Sequence, residues 1–543
     1  MKKKGLVFVL VLISCLFLIY QHSLKFDLIW DTKTFVNESI LLNNEASLFS
    51  AFKYGYIYGQ LGMQTQSFYY RPIVNLSFMI EKEIWGLNGV TLRLTNIIIF
   101  SLAIFFLFWF LKRQGEGIRF SSIVMLLFAL SPLNVENIIW IVGRCDLFLL
   151  LWGMLTFLFF QLFLEKKKVV YVAASLFFFA LGIFSKETFV FFWPLLLVYE
   201  WSKLKRISPF YHISTAVLSI LFYIIKIGVL GIGGLHFVVG SSVLDYIKTA
   251  ISVFGYYSRI LLFPFYFDNF SFVNEVTTTW YIFLGIVMGI LILTVFYITK
   301  KDRKNLFPLS LTVLFMCPYI LLTFTTLWPF RISSRYMMIP FLGVIWLFTR
   351  AICRLKIKFQ NIIIISLVIL FGSAIISSTQ RYRTERNFWE DALKSHSDNS
   401  FVLQKMANIC YEEKDDFTSL YYYNQALKYP MGQTTAIEIS IGLAKLAFQR
   451  CDYQKSLEWL NRFHFKVLPY QEYHIIKLKA LILVSLGNIN QAVKLLKENL
   501  NAYSDRRDIY HLLFEFQIGF ENWLKAKNLE NMIKMKFPPP YRE

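Results

Sequence analysis

Stretches of about 18 or more apolar residues recur from Val7 to Ile376, and each is long enough to cross a bilayer as a helix. The strands of a transmembrane barrel would alternate polar and apolar residues, and these runs do not. Of the 543 residues, 56% are hydrophobic and 56 are phenylalanine, a load that a soluble chain of this size does not carry. The fold class expected is all-α: a polytopic transmembrane helical bundle followed by a helical C-terminal domain.

The formal charge of +21 would suit a nucleic-acid partner, but its placement argues otherwise. The basic residues gather in short clusters between apolar runs: "MKKK", Lys112 with Arg113, Lys166 to Lys168, Lys203 to Arg206, Lys300 to Lys304, and Arg354 to Lys358. That is the signature of cytoplasmic loops, and no nucleic-acid partner is expected. The six cysteines show no CxxC and no ligand-like spacing, so neither a disulfide framework nor a zinc site is indicated. Cys15 sits in a stretch resembling a lipoprotein cleavage box, but apolar residues continue past it, so an uncleaved first helix is expected.

With "MKKK" inside, the clusters thread about eleven spans: 5–20, 92–111, 120–142, 147–164, 169–184, 188–200, 208–230, 280–299, 306–326, 336–350 and 360–378. A large loop, 21–90, lies outside. If 246–264 also spanned, the basic run after Lys300 would fall outside, so 231–279 reads as an external segment with an interfacial or re-entrant helix. Residues 1–378 form the membrane domain, and 379–543 form a domain on the external side.

That second domain repeats itself at about 34–36 residues, with Phe417, Tyr453, Ile489 and Trp523 in matching places. Ser456, Ala492 and Ala526 follow three positions later in the last three units, where small residues let paired helices approach closely. "YYYNQALKYP" and "LGNINQAVKLLKENL" read as second helices of tetratricopeptide (TPR) repeats, and three or four such units make a short α-solenoid.

Nearly every conspicuous polar residue of the membrane half falls at one external face. These are Asp27 and Asp31 after the first helix, Arg71 in "YYRP", Glu136, Arg144 and Asp146 in "SPLNVENIIWIVGRCDL", Lys186 with Glu187, and Arg331 with Arg335. Ionisable groups near a bilayer are costly and mark function by default. Clustering on one side argues against an ion pathway or a transporter, whose polar residues would reach the midplane. Asp31 follows a tryptophan in an apolar lead-in, where a desolvated carboxylate can serve as a base. Glu136 lies a turn or more inside an apolar helix, and Pro132 is placed to bend the chain below it.

These segments together resemble the GT-C membrane glycosyltransferases, and most closely the transmembrane and tetratricopeptide repeat (TMTC) family implicated in protein O-mannosylation, with its bacterial relatives. The resemblance rests on "WDTKTFVNES", "YYRPIVNLSFMIEKEIWGLNGVTLRLTNIIIF", "SPLNVENIIWIVGRCDLF", "FSKETFVFFWPLLLVYEW", "SRYMMIPFLGV" and "RNFWEDALKSHSDNS", in that order and followed by the repeats. It implies a polyprenyl-phosphate sugar donor, inversion at the anomeric carbon, and a protein or glycan acceptor outside the cytoplasm, with mannose as one candidate hexose. Asp31 would then be the catalytic base, with Glu136 orienting an arginine or assisting the acceptor. Arg71, Arg144, Lys186 and Arg335 would hold the donor phosphate, supported by Asp146 and Glu187. No nucleotide cofactor is needed. The family's usual acidic pair is here Asp31-Thr32, which leaves open a divalent cation and full activity. The TPR domain would offer a surface for the acceptor.

Two other readings stay open: a degenerate transferase acting as a membrane scaffold through its TPR domain, and a polymerase or ligase of lipid-linked polysaccharide. The lysine-, isoleucine- and phenylalanine-rich usage favours a bacterial plasma membrane, with the TPR domain external or periplasmic.

Overall fold

The computed structural model describes residues 3–43, 47–56, 69–205, 207–232, 242–265, 270–299, 303–324, 332–462 and 469–499. These are almost entirely helical. Among the described residues the strands are one short antiparallel pair, Phe270–Ser271 with Ile332–Ser333. Contacts divide the chain into two compact units, one ending at Asn387 and the other starting at Phe388.

In the first unit, eight helices among the described residues are long and apolar enough to cross a membrane: Val7–Lys25, Gly89–Arg113, Ile141–Lys166, Pro209–Val229, Thr279–Tyr297, Arg303–Leu322, Ser334–Ile352 and Ile357–Gln380. Their packing differs widely. In Ile141–Lys166, 78% of the apolar stretch is buried, against 28% in Pro209–Val229 and 6% in Thr279–Tyr297. Ile141–Lys166 is therefore a core element, and the other two are peripheral. Val169–Ile183 and Phe192–Leu204 are shorter.

The expected span 120–142 is broken. Ile118–Ala129 and Pro132–Ile139 meet at 54°, which makes the pair at most one bent span. Pro132 has no N–H to continue the helix, and the Ser131 hydroxyl accepts from Leu133 N–H at 3.3 Å to start the next turn. The chain then winds through a 3-10 turn, Ile141–Gly143, into Arg144–Lys166. A Cβ on Gly143 would lie 3.0 Å from the backbone of Asn137, so this tight return needs a glycine.

Val243–Leu262 forms one helix in the segment read as external; it is not among the eight apolar ones. Ser242 and Asp245 cap its start reciprocally. It crosses Thr279–Thr299 so closely that a Cβ on Gly255 would fall 2.0 Å from the Tyr281 carbonyl, and one on Gly285 2.2 Å from that of Ile251. Small residues at such crossings are how apolar helices pack without a hydrophobic driving force.

The second unit contains three successive helical hairpins: Ser400–Glu412 with Asp416–Ala426, Gln433–Gln449 with Tyr453–Asn461, and Pro469–Ser485 with Ile489–Asn499. Their turns match. Lys414, Cys451 and Gly487 all take the left-handed conformation. Asp415 and Asp452 each accept from the backbone three residues on, at 3.1 Å. Ser419 and Ser456 are fully buried, and each donates to a carbonyl of the preceding helix at 2.8 Å. Ala492 occupies the third equivalent place, also buried. This register corrects the sequence alignment by one residue: Asp416, not the exposed Phe417, matches Tyr453. The fourth expected unit, with Trp523 and Ala526, lies outside the described residues.

Candidate functional site

The bend after Ser131 delivers Glu136 into the first turn of Val135–Ile139. Its carboxylate lies 3.2 Å from a terminal nitrogen of Arg335, and the Ser333 hydroxyl donates to it at 3.4 Å. Arg335 sits in the 3-10 turn Ser334–Met337 that opens the tenth expected span, and its carbonyl accepts from Asn137 Nδ2 at 3.2 Å. The Arg335 guanidinium also lies over the Trp140 ring, 4.3 Å from its centroid. Two donors here have no partner: Arg335 Nε–H and the Trp140 indole N–H. Buried donors are almost always paired, so two unpaired ones side by side need a reason.

Arg144 and Asp146 start the central helix Arg144–Lys166 and diverge in role. Asp146 pairs with Lys186, which reaches in from the loop before Glu187. The Lys186 ammonium faces the rings of Tyr319 and Tyr336, at 5.3 and 5.2 Å, and these rings stack at 4.3 Å. Burial alone would lower the lysine's pKa, but Asp146 outweighs it and lifts it above the ordinary value. Arg144, expected among the phosphate-facing cations, is fully occupied elsewhere. It pairs with Glu81 at 2.7 Å, donates to Asn96 Oδ1 at 2.8 Å and to the Leu92 carbonyl at 3.0 Å, and lies over Phe78. It is completely buried, and it fastens Pro72–Trp85 and Gly89–Arg113 to the central helix.

Arg71 precedes Pro72, which takes the first position of Pro72–Trp85 where its missing N–H is harmless. Its Nε lies 3.2 Å from Glu187 Oε2, and its guanidinium covers the rings of Tyr69 and Tyr56. Glu187 also accepts the Tyr70 N–H at 2.9 Å and faces Lys226 at 3.7 Å. Burial would raise the pKa of Glu187, but Arg71 and then Lys226 hold it below the usual carboxylate value.

These pieces form one cluster. Cys145 Sγ lies 3.5 Å from an Arg71 nitrogen and 3.6 Å from the Asp146 carboxylate, and the Tyr336 ring faces both Lys186 and Arg335, at 5.2 and 5.1 Å. The Tyr69 phenol, raised chiefly by burial, feels Arg71, Glu187 and Arg335. Asp31 stands next to the cluster: Trp30, the residue before it, stacks on Trp140, whose ring carries the Arg335 guanidinium. Asp31 is the first residue of Asp31–Glu38, and Trp30 before it has a positive φ of 46°. Its lead-in is held by Arg93, buried in Gly89–Arg113, which donates to the carbonyls of Phe26, Asp27 and Ile139.

Six of the eight candidate residues thus share the cluster, with Asp31 on the segment stacked beside it and Arg144 behind it. Asp27 contributes its backbone to the lead-in, donating to the Arg383 carbonyl at 3.1 Å. Arg331 lies outside the described residues. The sequence reading missed Lys226, Glu81, Arg93 and the aromatic wall of Tyr56, Tyr69, Trp140, Tyr319 and Tyr336. Lys226, in an apolar run, carried the same signal as Glu136, whereas Glu81 is followed directly by Lys82 and Glu83 and did not stand out. The tyrosines carried none, in a chain with 30 of them. Among the described residues no three His, Cys, Asp or Glu side chains converge as a metal site would need. Thr32, where a second acid was expected, is buried with its hydroxyl unpartnered.

Searched against models of known protein families and against curated proteins, the chain matches none.

Proposed function

We propose that this protein is an integral-membrane inverting glycosyltransferase that moves a hexose from a polyprenyl phosphate to a protein or glycan acceptor outside the cytoplasm. One observation carries the reading: Arg71, Lys186 and Arg335, from three distant segments, gather with aromatic rings and two unpaired donors, beside the segment that carries Asp31. The Asp31 carboxylate takes the proton of the acceptor hydroxyl. The acceptor oxygen attacks the anomeric carbon opposite the phosphate, and the bond from that carbon to the phosphate oxygen breaks. The leaving lipid phosphate changes from a singly charged diester to a monoester carrying close to two charges. Fixed cations in a water-poor site stabilise that developing charge. Glu136 orients Arg335 in this scheme, and Arg144 sets the scaffold.

In this reading the bent pair and the two shorter apolar helices also span, bringing the count to about eleven and placing the C-terminus outside. The hairpins of the second unit are TPR units of a short solenoid that receives the acceptor or a partner. The setting is a bacterial plasma membrane. Thr32 favours one rival, a scaffold that has lost catalysis, because its hydroxyl supplies no second carboxylate.

The deciding experiment is sugar transfer from synthetic polyprenyl-phosphate hexoses to peptide and glycan acceptors, with Asp31→Asn beside the parent. Transfer by the parent and loss of about 100-fold or more in the variant is the expected result. Full activity in Asp31→Asn removes the base assignment. Donor binding without transfer by the parent supports the scaffold.

A further inference from the structure

Each cation of the cluster has a carboxylate of its own except at one place. Lys186 has Asp146, Arg335 has Glu136 and Arg144 has Glu81, but Arg71 and Lys226 share Glu187. Among the described residues no other carboxylate lies within ion-pair distance of either. With both side chains protonated, this group of three carries one more positive than negative charge, on side chains only 11% and 10% exposed. An unmatched charge at that depth is costly: either the lysine gives up its proton or an anion completes the group.

The backbone under Lys226 is also unusual. Residues Ile224–Val229 form a π-helical stretch, in which Leu230 N–H donates to the Ile225 carbonyl at 3.0 Å. Such wide turns are rare and concentrate at functional sites. Here the wide turn ends the peripheral helix Pro209–Val229, whose Ile220, Ile224 and Ile227 are exposed while Lys226 is buried. The surplus charge therefore sits on an element with an exposed apolar face on one side and the cluster on the other.

We infer that Arg71 and Lys226 together bind a lipid-linked phosphate, with Lys226 as the cation on the lipid-bordering side. The inference rests on the donor reading above for the identity of that lipid, but not for the binding itself. Glu187 is then a positioning residue: it holds two like charges close enough for one phosphate to bridge them. The extra positive charge also matches the charge that the leaving phosphate gains.

The test is lipid binding by the purified full-length chain in nanodiscs, probed with undecaprenyl phosphate, neutral undecaprenol and phosphatidate. The expected result is a clear preference of the parent for undecaprenyl phosphate over undecaprenol. Lys226→Met and Lys226→Gln should each weaken binding by about tenfold, and Lys226→Arg should keep it. If both neutral variants elute as intact protein and bind undecaprenyl phosphate like the parent, the role of Lys226 is overturned and the donor reading stands. A Lys226-dependent preference for phosphatidate supports the phosphate site and counts against the donor reading. No discrimination between undecaprenyl phosphate and undecaprenol, with no phosphatidate binding, overturns both.

Discussion

The indole rings of Trp30 and Trp140 are stacked, with centroids 5.8 Å apart and planes 14° from parallel. Trp140 carries the Arg335 guanidinium on its ring, and Trp30 immediately precedes Asp31. The stack therefore joins the segment bearing the proposed base to the helix break bearing Glu136. It does so at the expense of a strained backbone, since Trp30 holds φ 46° and ψ −127°. A non-glycine residue in such a conformation costs on the order of 1–3 kcal/mol and persists only where the surroundings enforce it.

Replacing Trp30 separates the strain from the stack. Trp30→Ala loses the aromatic pairing, about 0.5–1.5 kcal/mol, and keeps the strained backbone. Trp30→Gly also loses the pairing but relieves the strain, against an entropic penalty of about 0.5–1 kcal/mol for glycine. The glycine variant should therefore be the more stable of the two, by about 1 kcal/mol. Both should lose transfer, by roughly 10- to 100-fold, because Asp31 is no longer held in register. Thermal unfolding in detergent with parallel transfer assays reads both quantities. An alanine variant more stable than the glycine variant would show that the backbone at Trp30 is relaxed.

Arg144 and Glu81 make a different test, because their pairing is wholly buried. Arg144→Met leaves the Glu81 carboxylate without its cation, and Glu81→Met strands the arginine. Either change should cost about 3–5 kcal/mol, whereas replacing both with methionine should restore stability near the parent's. Yield and thermal unfolding would show the pattern. The double variant also separates scaffold from site: intact protein that still binds undecaprenyl phosphate places Arg144 in the scaffold, and intact protein that cannot bind it returns Arg144 to the donor site.

Arg144 also shows what the sequence could and could not say. An arginine beside an apolar run gives one signal, and that signal is the same whether the side chain faces a ligand or an internal carboxylate. Its partner Glu81 is far away in sequence, and no spacing rule links them. The Glu136 region was more legible, since proline after a long apolar run bends a helix for reasons local to the chain. The helical character of the membrane half was legible for the same local reason, through the length of its apolar runs. Lys226 stood out as a lysine inside an apolar run, but that it shares Glu187 with Arg71 exists only once the chain is folded. The repeats were visible through their period, but the turns at Lys414 and Cys451 stand one residue further apart than those at Cys451 and Gly487, which moved the true register from Phe417 to Asp416.

Glu187 links stability to pH with a definite sign. Its pKa in the folded protein lies below the ordinary carboxylate value; burial opposes this, and Arg71 and Lys226 outweigh the burial. A group whose folded pKa is depressed stabilises the protein above its unfolded pKa, and that stability is lost as the pH falls toward the folded one. The share of stability that Glu187 supplies should therefore hold from neutral pH down to about 4.3, the unperturbed glutamate value, and be lost below it. Glu187→Gln should be less stable at neutral pH, because Arg71 and Lys226 then face each other without a shared anion. It should also lose less on acidification, so that the two curves converge. Undecaprenyl phosphate should stabilise the variant more than the parent at neutral pH, since the lipid phosphate then supplies the missing negative charge. Parallel unfolding curves at all pH values would mean that Glu187 carries no part of the acid sensitivity.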